Sequence, residues 1–498
     1  MPAYYLEVAV VILGLVLLMM EAFVTGGDKR FVGHLAILGL GAIFVGLFFV
    51  NTSLRGTSPF WQFYAADSLA MTYKGIALLC TILVLIIGLD YIPVLEKFTA
   101  RIGGRGAWGE FFCLPVFICS GMMWMASAID LTSIFVSLEL VTISFYVMVT
   151  FMRRNVGSLE AGVKYLILGA LSTGFLVYGF TWLYGITGRT NLHEIAVQLG
   201  SGTIATAPAM FSFALILVAL AFKIGAVPLH FWIPDVYQGA PTPITAFLSV
   251  GSKAAGIIVT TRLIQPYLYA APLAHNATAI LLAVACATLL VGNLAAIPQT
   301  NFKRLLAYSS ISHAGFLVLA LASGRTGGFG MQPSEIVAFY MAAYLCMTLL
   351  AFAVLVVVSR VTGSDDLSAF NGLHQRSPFL AFALVVAMAS LAGVPLTVGF
   401  LGKFFVFGAA AAHQLWLPLI FAVIGAAAGF YYYLKVVRNM YWNPPAATPV
   451  EPIALAPLTK ITMLVLIAAT LIFGVYPQPL MHFLRSGDTA GTEVVNGN

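Results

Sequence analysis

Stretches of about 20 apolar residues recur along almost the whole chain, and this repetition limits the fold more than any other feature. An α-helix needs roughly 20 such residues to cross the hydrocarbon region of a bilayer. The 498-residue sequence is 61% hydrophobic and 8% charged, whereas an average soluble domain is about 25% charged. A protein core cannot bury so much apolar sequence. The chain is therefore expected to be an all-α, polytopic membrane protein.

Fourteen transmembrane helices are predicted, two of them broken. They lie near residues 4–24, 31–50, 67–90, 111–128, 130–152, 161–186, 207–237 (broken), 243–263, 277–297, 303–322, 333–359, 378–410 (broken), 416–438 and 459–475. The first has no basic segment before it and no cleavage site after it, so it is expected to stay as a membrane span.

Basic residues divide unequally between the loops on the two sides of the membrane. With the N-terminus outside, the inside loops hold thirteen cations: Lys29, Arg30, Lys97, Arg101, Arg105, Arg153, Arg154, Lys303, Arg304, Arg360, Arg376, Arg438 and Lys460. The outside segments hold five: Arg55, Arg189, Arg262, Arg325 and Arg485. The positive-inside rule then predicts that both termini lie outside. The net charge of +6 reports this orientation and does not indicate nucleic-acid binding.

Six cations remain inside the predicted helices, and all are lysines: Lys74, Lys164, Lys223, Lys253, Lys403 and Lys435. Arginine stays protonated under nearly all conditions, whereas a buried lysine can release its proton. Side chains near a helix end can instead extend to the headgroups. That alternative applies to the lysines at 74, 164 and 435.

The other three lysines lie too deep to reach either surface. Lys253 is about ten residues, or roughly 15 Å, from both ends of its helix. Lys223 and Lys403 are similarly deep, each beside a helix break. Ionisable residues inside a membrane most often mark a pathway for ions or protons, so these three are the first candidates for a functional site.

One glutamate, Glu139, lies well inside a predicted span and could accompany them. A carboxylic acid kept neutral by burial is one interpretation. The other is a partner for Lys223, because a Glu–Lys pair at about 4 Å gains roughly 4 kcal/mol at an effective dielectric constant of 20. Movement of the pair together or apart would then control the proton on the lysine.

Both broken helices carry proline beside a deep lysine. Pro228 follows Lys223 by five residues, while Gly393 and Pro395 precede Lys403 by ten and eight. A proline inside a helix removes a hydrogen bond, and in a membrane the freed carbonyl groups need partners from protein or water. The breaks therefore predict hydrated cavities, with a simple packing kink as the alternative.

Small and hydroxyl-bearing residues surround two of the candidates. His313 lies in "AYSSISHAG", where Ser309, Ser310 and Ser312 could hold water, although a lone buried histidine can be structural. Histidine titrates in a range suited to proton relay. The segment "SVGSKAAG" likewise leaves room beside Lys253, although close helix packing also selects small residues.

The spacing of these residues indicates an internal duplication. Glu139 and Lys223 are 84 residues apart, and His313 and Lys403 are 90 apart. Each interval belongs to a block of about five helices with one break. Because five is odd, tandem blocks insert with opposite orientations, as in the inverted repeats of transporters.

No pattern for a metal, iron–sulfur cluster, haem or nucleotide stands in the sequence. The five cysteines, Cys80, Cys113, Cys119, Cys286 and Cys346, fall inside predicted helices without the spacing of metal ligands, and they are expected to be small packing residues. No cofactor or metal is expected in this chain.

Two segments, "VPLHFWIPDVYQGAPTPITAFL" and "NFKRLLAYSSISHAGF", resemble the antiporter-like membrane subunits of respiratory complex I, and the resemblance extends over essentially the whole chain. "SVGSKAAG" is most similar to the subunit N branch of NADH–quinone oxidoreductase. Position 403 is a lysine rather than a glutamate, which argues against a resemblance to subunit M. The polar tail after about Pro479 leaves no room for the long lateral helix of subunit L.

The resemblance implies roles in proton transfer for the deep residues. Glu139 and Lys223 match the ion pair of the first half-channel of the family. Lys253 matches the central connecting lysine, and Lys403 matches the terminal lysine of the second half-channel.

Three further residues match positions of the family. Lys164 matches an additional relay position. His230 is the histidine of "VPLHFW", implied to couple the broken helix to its surroundings. His313 lies in the matching "SSISHAG" segment.

The resemblance also implies an organisation and a setting. Residues 1–110 are expected to form a three-helix segment, 111–265 and 275–440 the two inverted repeats, and 441–498 the last helix and a polar tail. NADH, FMN, iron–sulfur clusters and quinone are expected in partner subunits. The implied neighbours are subunits M and K in a bacterial inner membrane, with both termini periplasmic.

Two other functions are compatible with parts of the sequence. Subunits of Mrp-type cation/proton antiporters share the "FWIPDVYQGAPTP" pattern, and the neighbouring genes would distinguish the two. A purely structural membrane scaffold would leave the deep lysines without a purpose. Lysine favours protons over sodium as the transported ion, because a cationic amine repels a metal ion.

Overall fold

The computed structural model describes residues 2–23, 29–50, 59–99, 109–324, 330–444 and 452–485, and these residues form twenty α-helices. The helices are α1 (Tyr4–Phe23), α2 (Arg30–Gly46), α3 (Ser68–Thr99), α4 (Glu110–Ser127), α5 (Leu131–Val149), α6 (Val156–Thr187), α7 (Leu192–Gly200), α8 (Thr206–Ile224), α9 (Trp232–Gly239), α10 (Thr242–Phe247), α11 (Lys253–Tyr269), α12 (Ala271–Ala296), α13 (Phe302–Ala322), α14 (Pro333–Thr362), α15 (Leu373–Arg376), α16 (Pro378–Ala392), α17 (Val398–Ala412), α18 (Trp416–Trp442), α19 (Pro457–Val475) and α20 (Gln478–Arg485). Within the described ranges, β-structure is limited to three isolated bridges.

The predicted membrane spans are confirmed. Within the described residues, thirteen helical segments are long and apolar enough to cross a bilayer, counting α10 and α11 as one continuous segment from Thr242 to Tyr269. The shorter α16 and α17, separated by a break, supply the fourteenth. The bounds of the four predicted domains remain predictions.

Both predicted helix breaks are present. Helix α8 ends at Ile224, where Gly225 adopts a left-handed conformation with φ of 78°, and α9 starts at Trp232. Helix α16 ends at Ala392, where Gly393 has φ of 90°. Glycine adopts positive φ at little cost, so it is the usual residue at such helix ends.

Several elements differ from the prediction. Helix α3 continues to Thr99, past Pro93, instead of ending near residue 90, and α6 begins five residues early at Val156. The surface helices α7 and α20 were not predicted, since they are too short to span a membrane. A π-helical turn at Leu248–Ser252, directly before Lys253, also has no simple sequence signature.

The helices at the centre of the bundle are those that carry the deep polar residues. The apolar windows of α10–α11, α13 and α14 are 100%, 94% and 89% buried, whereas those of α1, α2 and α6 are about a third buried. Helices α12 and α13 pack backbone to backbone, because a Cβ atom on Gly292 would lie 2.6 Å from the Ser312 nitrogen. Small residues allow such close approach in membranes, and here they fix the position of the "SSISHAG" segment.

The ends of the helices define two faces of the bundle. The N-terminal face holds the start of α1, α3 and α5, the end of α6 and α11, and the helices α7 and α20. The opposite face holds the start of α6 and α13 and the end of α14. Four of the loop cations used to predict orientation, Arg55, Arg101, Arg105 and Arg325, lie outside the described residues.

Candidate functional site

The three deep lysines are buried in the middle of the bundle, as their positions predicted. Lys223, Lys253 and Lys403 are 7%, 2% and 5% exposed. They lie on α8, α11 and α17, three helices that meet α13 or its neighbours in the centre of the bundle. Burying an ammonium group costs several kcal/mol unless oxygen atoms surround it, so the partners of each lysine define the site.

Lys223 lies in the last turn of α8, the first half of the broken helix. Its ammonium donates a hydrogen bond of 2.7 Å to the Thr142 hydroxyl on α5. Its position in the last turn of α8 is favourable because the carboxyl end of a helix attracts positive charge. Gly256 makes room beside it, since a Cβ atom there would lie 3.1 Å from Lys223 Cγ.

Glu139 lies one turn before Thr142 on the same face of α5, but its carboxylate is hydrogen-bonded elsewhere. It accepts a bond of 2.9 Å from the Thr173 hydroxyl on α6. Among the described ion pairs, none within 4.0 Å joins Glu139 to Lys223. The structure therefore holds the two groups in the separated arrangement.

A small cavity lies beside Lys223, between α5, α6 and α8. Its volume is about 20 Å³, and its lining includes Thr142, Thr173 and Lys223. A space of this size has room for one water molecule, which needs polar partners such as these hydroxyls.

Lys253 is held by the segment that the sequence singled out for its serines. Its ammonium donates hydrogen bonds to both the backbone carbonyl and the hydroxyl of Ser310 on α13. It also lies 5.4 Å from the ring centre of Tyr344. The Ser310 hydroxyl lies 3.3 Å from the Tyr237 hydroxyl, so a hydrogen-bonded cluster surrounds this lysine.

His313 lies one turn after Ser310 on α13 and is 2% exposed. Its Nδ1 is 2.7 Å from the Tyr340 hydroxyl, and its Nε2 is 3.3 Å from the Tyr433 hydroxyl. Tyr433 is hydrogen-bonded in turn to Ser309. The imidazole therefore has a polar partner on each ring nitrogen, as a group that passes protons requires.

Lys403 caps the first half of the second broken helix. Its ammonium donates hydrogen bonds of 2.9 Å and 2.8 Å to the carbonyl groups of Leu391 and Ala392, in the last turn of α16. The Lys403 Nζ atom lies 5.4 Å from the ring centre of Phe316. Phe316 follows His313 by one turn on α13. Ser310, His313 and Phe316 thus form one face of α13 that runs from Lys253 to Lys403.

The remaining predicted residues lie away from this row. Lys164 is 42% exposed and forms ion pairs with Glu160 and with Asp235 on α9. His230 is buried in the connection between α8 and α9, with its ring 4.5 Å from that of Phe231.

Asp235 was missed in the sequence analysis, although it lies within the quoted "FWIPDVY". Its carboxylate accepts hydrogen bonds from Lys164 at 2.8 Å and from Arg304 at 2.7 Å. It therefore links the two halves of the chain. Lys164, Asp235 and Arg304 border a cavity of about 660 Å³ at the face opposite the N-terminal face. Lys303 and Arg360 also line it.

Two cations assigned to loops are buried instead. Lys303 is in the first turn of α13 and pairs with Asp365 at 2.9 Å. Arg262 is in α11 and pairs with Asp67 at 2.8 Å. Each can be buried because an acid neutralises it across the bundle. Such long-range pairs leave no local signal in a sequence.

The prediction that Lys74 extends to the surface is wrong. Its side chain is 0% exposed and forms an ion pair of 2.7 Å with Glu7 on α1, which is equally buried. Glu7 was overlooked because it lies only one turn from the start of its helix. Lys435, by contrast, donates hydrogen bonds to the carbonyl groups of Ile297 and Gln299, at the end of α12.

The chain belongs to the family of membrane subunits described as NADH:quinone oxidoreductase/Mrp antiporter, whose model matches residues 128–429. It is 37% identical to NADH-quinone oxidoreductase subunit N of Desulforamulus reducens over 475 residues, which cover 95% of each chain. It is 39% identical to the protein of the same name from Trichlorobacter lovleyi, with coverage of 96% and 95%.

Solved structures show the same fold. A chain of respiratory complex I from Thermus thermophilus with bound aureothin has a TM-score of 0.79 at 31% identity, over 97% of this chain and all of that one. A chain of the Mrp complex from Dietzia sp. has a TM-score of 0.79 at 19% identity, with 98% of both chains covered. The Mrp likeness concerns the fold alone.

The capping contact of Lys403 predicts a large effect on stability. In Lys403→Met, the last carbonyl groups of α16 lose their donor, and each unsatisfied buried group costs about 1–3 kcal/mol. The thermal unfolding midpoint of the detergent-solubilised protein should fall by several degrees. Lys164→Met, which removes an exposed ammonium group, is the control and should change the midpoint little. Equal midpoints for both variants would contradict the capping role.

Proposed function

We propose that this chain is the proton-translocating subunit N of a bacterial respiratory complex I. In this role it couples NADH:quinone electron transfer in other subunits to proton movement across the membrane. The observation that carries the proposal is the buried polar row from Lys253 through Ser310 and His313 to Lys403. Subunit N proteins that match the chain over nearly their full length support the same function.

Protons would enter the row from the charged cavity at the opposite face. Lys164, Asp235 and Arg304 border this cavity, and Lys164 lies on α6, which also supplies Thr173 to Glu139. Charged groups around a cavity hold water and exchange protons with it. This supports Lys164 as a relay between the cavity and the first half of the chain.

Glu139 would control the proton on Lys223. In the separated arrangement Lys223 has only a neutral hydroxyl as its described hydrogen-bond partner, and it can give up a proton. An approach of the carboxylate to about 4 Å would favour the charged lysine by roughly 4 kcal/mol at an effective dielectric constant of 20. A conformational change that moves the two groups would thus load and unload the lysine.

From Lys253 the proton would move along α13 to Lys403. Ser310 contacts Lys253 directly, and His313 follows one turn later with hydroxyl groups on both nitrogens. Lysine, imidazole and hydroxyl groups can each give and accept a proton, which supports transfer by short steps. His230 would couple the α8–α9 connection to these changes.

The redox chemistry would take place elsewhere in the complex. The family resemblance supports NADH, FMN, iron–sulfur clusters and quinone in partner subunits, with no cofactor or metal in this chain. The same resemblance supports subunits M and K as neighbours. The chain would lie in the inner membrane with the N-terminal face towards the periplasm.

An Mrp-type cation/proton antiporter subunit is the alternative. The likeness to the Dietzia Mrp chain supports only the fold, at 19% identity. The relatives at 37% and 39% identity carry the subunit N name, which favours complex I.

The relay role of Lys253 predicts different behaviour for two substitutions. Lys253→Arg keeps the positive charge but cannot release a proton, so proton pumping should fall sharply, as it should in Lys253→Ala. The measurement is NADH-driven acidification of inverted membrane vesicles that contain the assembled complex. Wild-type pumping by Lys253→Arg together with failure of Lys253→Ala would show that a fixed charge is sufficient.

The control role of Glu139 is tested by Glu139→Gln, which removes the charge and nearly keeps the shape. Assembly should persist, while proton pumping and the coupled electron transfer should fall about tenfold or more, a change of roughly 1.4 kcal/mol or more in barrier. Glu194→Gln, on the exposed helix α7, is the control. Full pumping by assembled Glu139→Gln would reject the role.

The proposed orientation is tested by cysteine labelling. His193→Cys on α7 lies at the N-terminal face, and Arg153→Cys lies at the opposite face; both side chains are exposed. In intact cells with a permeable outer membrane, an impermeant maleimide should label position 193 only. Labelling of position 153 alone would show that the orientation is the reverse of the proposed one.

A further inference from the structure

A second group of buried charges lies near the N-terminal face, apart from the lysine row. Lys74 on α3 and Glu7 on α1 are both 0% exposed, and their charged atoms are 2.7 Å apart. The Tyr64 hydroxyl donates a bond of 3.0 Å to the same Glu7 oxygen and accepts one of 2.6 Å from Lys74. We call these three residues the outer cluster.

The outer cluster is incompletely hydrogen-bonded by protein atoms. The second carboxylate oxygen of Glu7, Oε2, is buried and has no partner among the described residues. Two hydroxyl groups nearby are also buried without a partner among the described residues, those of Tyr73 and Ser127. Tyr73 precedes Lys74 on α3. The Ser127 carbonyl accepts a hydrogen bond from Ala65, the residue after Tyr64. Buried polar atoms in native proteins are nearly always paired, with protein or with ordered water. Water is therefore expected around the cluster.

A charged pair lies close to the outer cluster. Asp67 precedes Lys74 by seven residues, or about two helical turns. Its side chain is 38% exposed and pairs with the buried Arg262 at 2.8 Å. Arg262 is anchored by hydrogen bonds of 3.2 Å and 2.9 Å to the carbonyl group of Ala126, directly before Ser127. These contacts place a charged pair beside the cluster, on the side of the N-terminal face.

The cluster also faces inwards to the lysine row. Arg262 and Lys253 lie on the same helix nine residues apart, or about 14 Å. Helix α4 carries a second hydroxyl, that of Ser120, for which the described part of the chain offers no partner; it lies two turns deeper than Ser127. The same part of α4 lies beside the residues before Lys253, since a Cβ atom on Gly251 would be 3.1 Å from Met122 Sδ.

We propose that Glu7, Lys74 and Tyr64 form a hydrated proton-binding site through which the lysine row exchanges protons with the N-terminal face. The inference rests on the proposed function. In one cycle the Lys74 ammonium gives its proton to the Glu7 carboxylate, which leaves an amine and a neutral acid. The amine takes a proton from water on the inner side, and the acid releases one to water at the N-terminal face. One proton crosses the cluster, and the ion pair is restored.

The first test removes both charges of the pair. Glu7→Gln/Lys74→Met leaves no unpaired charge, and replacement of a whole buried pair is often tolerated. The control is Arg189→Gln/Glu194→Gln, which removes an exposed pair at the same face, with side chains 54% and 50% exposed. The assembled complex is assayed in inverted vesicles for NADH-driven pumping and quinone reduction. Pumping should fall at least about tenfold in the first double variant only.

Lys253→Ala in the same assay distinguishes failure of the proposed function from failure of the role of the outer cluster. If Lys253→Ala pumps normally, the proposed function fails. If Lys253→Ala fails to pump while Glu7→Gln/Lys74→Met matches its control, the outer cluster is structural only and the inference is overturned. Lys74→Arg is a second variant that keeps the ion pair but cannot release a proton. It should lose pumping too, and normal pumping by it would also overturn the inference.

The second test measures water at the cluster without activity. Ser127→Cys and Ala126→Cys put a thiol at neighbouring buried positions of α4, in a background with the five native cysteines replaced by alanine. On transfer to D2O, the infrared S–H band of Ser127→Cys should shift to S–D at least about tenfold faster, because exchange needs water. Equal rates at the two positions would show that the cluster is dry, and the proposal would be wrong.

Discussion

A positive charge in the middle of a membrane protein needs oxygen atoms around it, and this requirement organises the whole bundle. Each deep lysine meets it in a different way. Lys223 uses a threonine hydroxyl, Lys253 uses a serine on α13, and Lys403 uses the carbonyl groups of a broken helix. Hydrogen bonds to a charged group contribute about 1.5–3 kcal/mol each. They offset part of the burial cost but leave the lysines able to lose their protons.

The helix breaks and the lysines depend on each other. In the sequence, Lys223 precedes its proline, whereas Lys403 follows its own. In the structure, both lysines are placed at the carboxyl end of a half-helix, Lys223 as a residue of its last turn and Lys403 through its ammonium group, and there the helix dipole attracts positive charge. Lys223 reaches this position from its own helix, and Lys403 reaches it from the next helix across the break. The two halves therefore follow one physical rule with different connectivity.

Much of this organisation could be predicted from the sequence, because it depends on local patterns. Apolar runs gave the fourteen spans, prolines and glycines gave the breaks, and depth within a helix singled out Lys223, Lys253 and Lys403. The roles of these residues in proton transfer remain proposals that the geometry supports.

Contacts between distant parts of the chain could not be predicted. No periodicity pairs Lys74 with Glu7, or joins Asp235 to both Lys164 and Arg304. The separation of Glu139 from Lys223 also results from packing, because Glu139 bonds to Thr173 instead. The same is true of the direct hydrogen bond from Lys253 to Ser310, at a place where the sequence predicted water. Side chains that pair across a bundle need not lie near each other in sequence, so only the folded chain identifies them.

The central claim is that protons pass between Lys253 and Lys403 through the polar face of α13. The most direct measurement compares proton pumping by Tyr433→Phe and Tyr267→Phe in the assembled complex. Tyr433 contacts His313 and Ser309, whereas Tyr267 is equally buried but bonds to Ser212 on α8. We predict a fall of about tenfold or more for Tyr433→Phe and nearly normal pumping for Tyr267→Phe. Wild-type pumping by Tyr433→Phe would contradict a route past His313 that uses this hydroxyl.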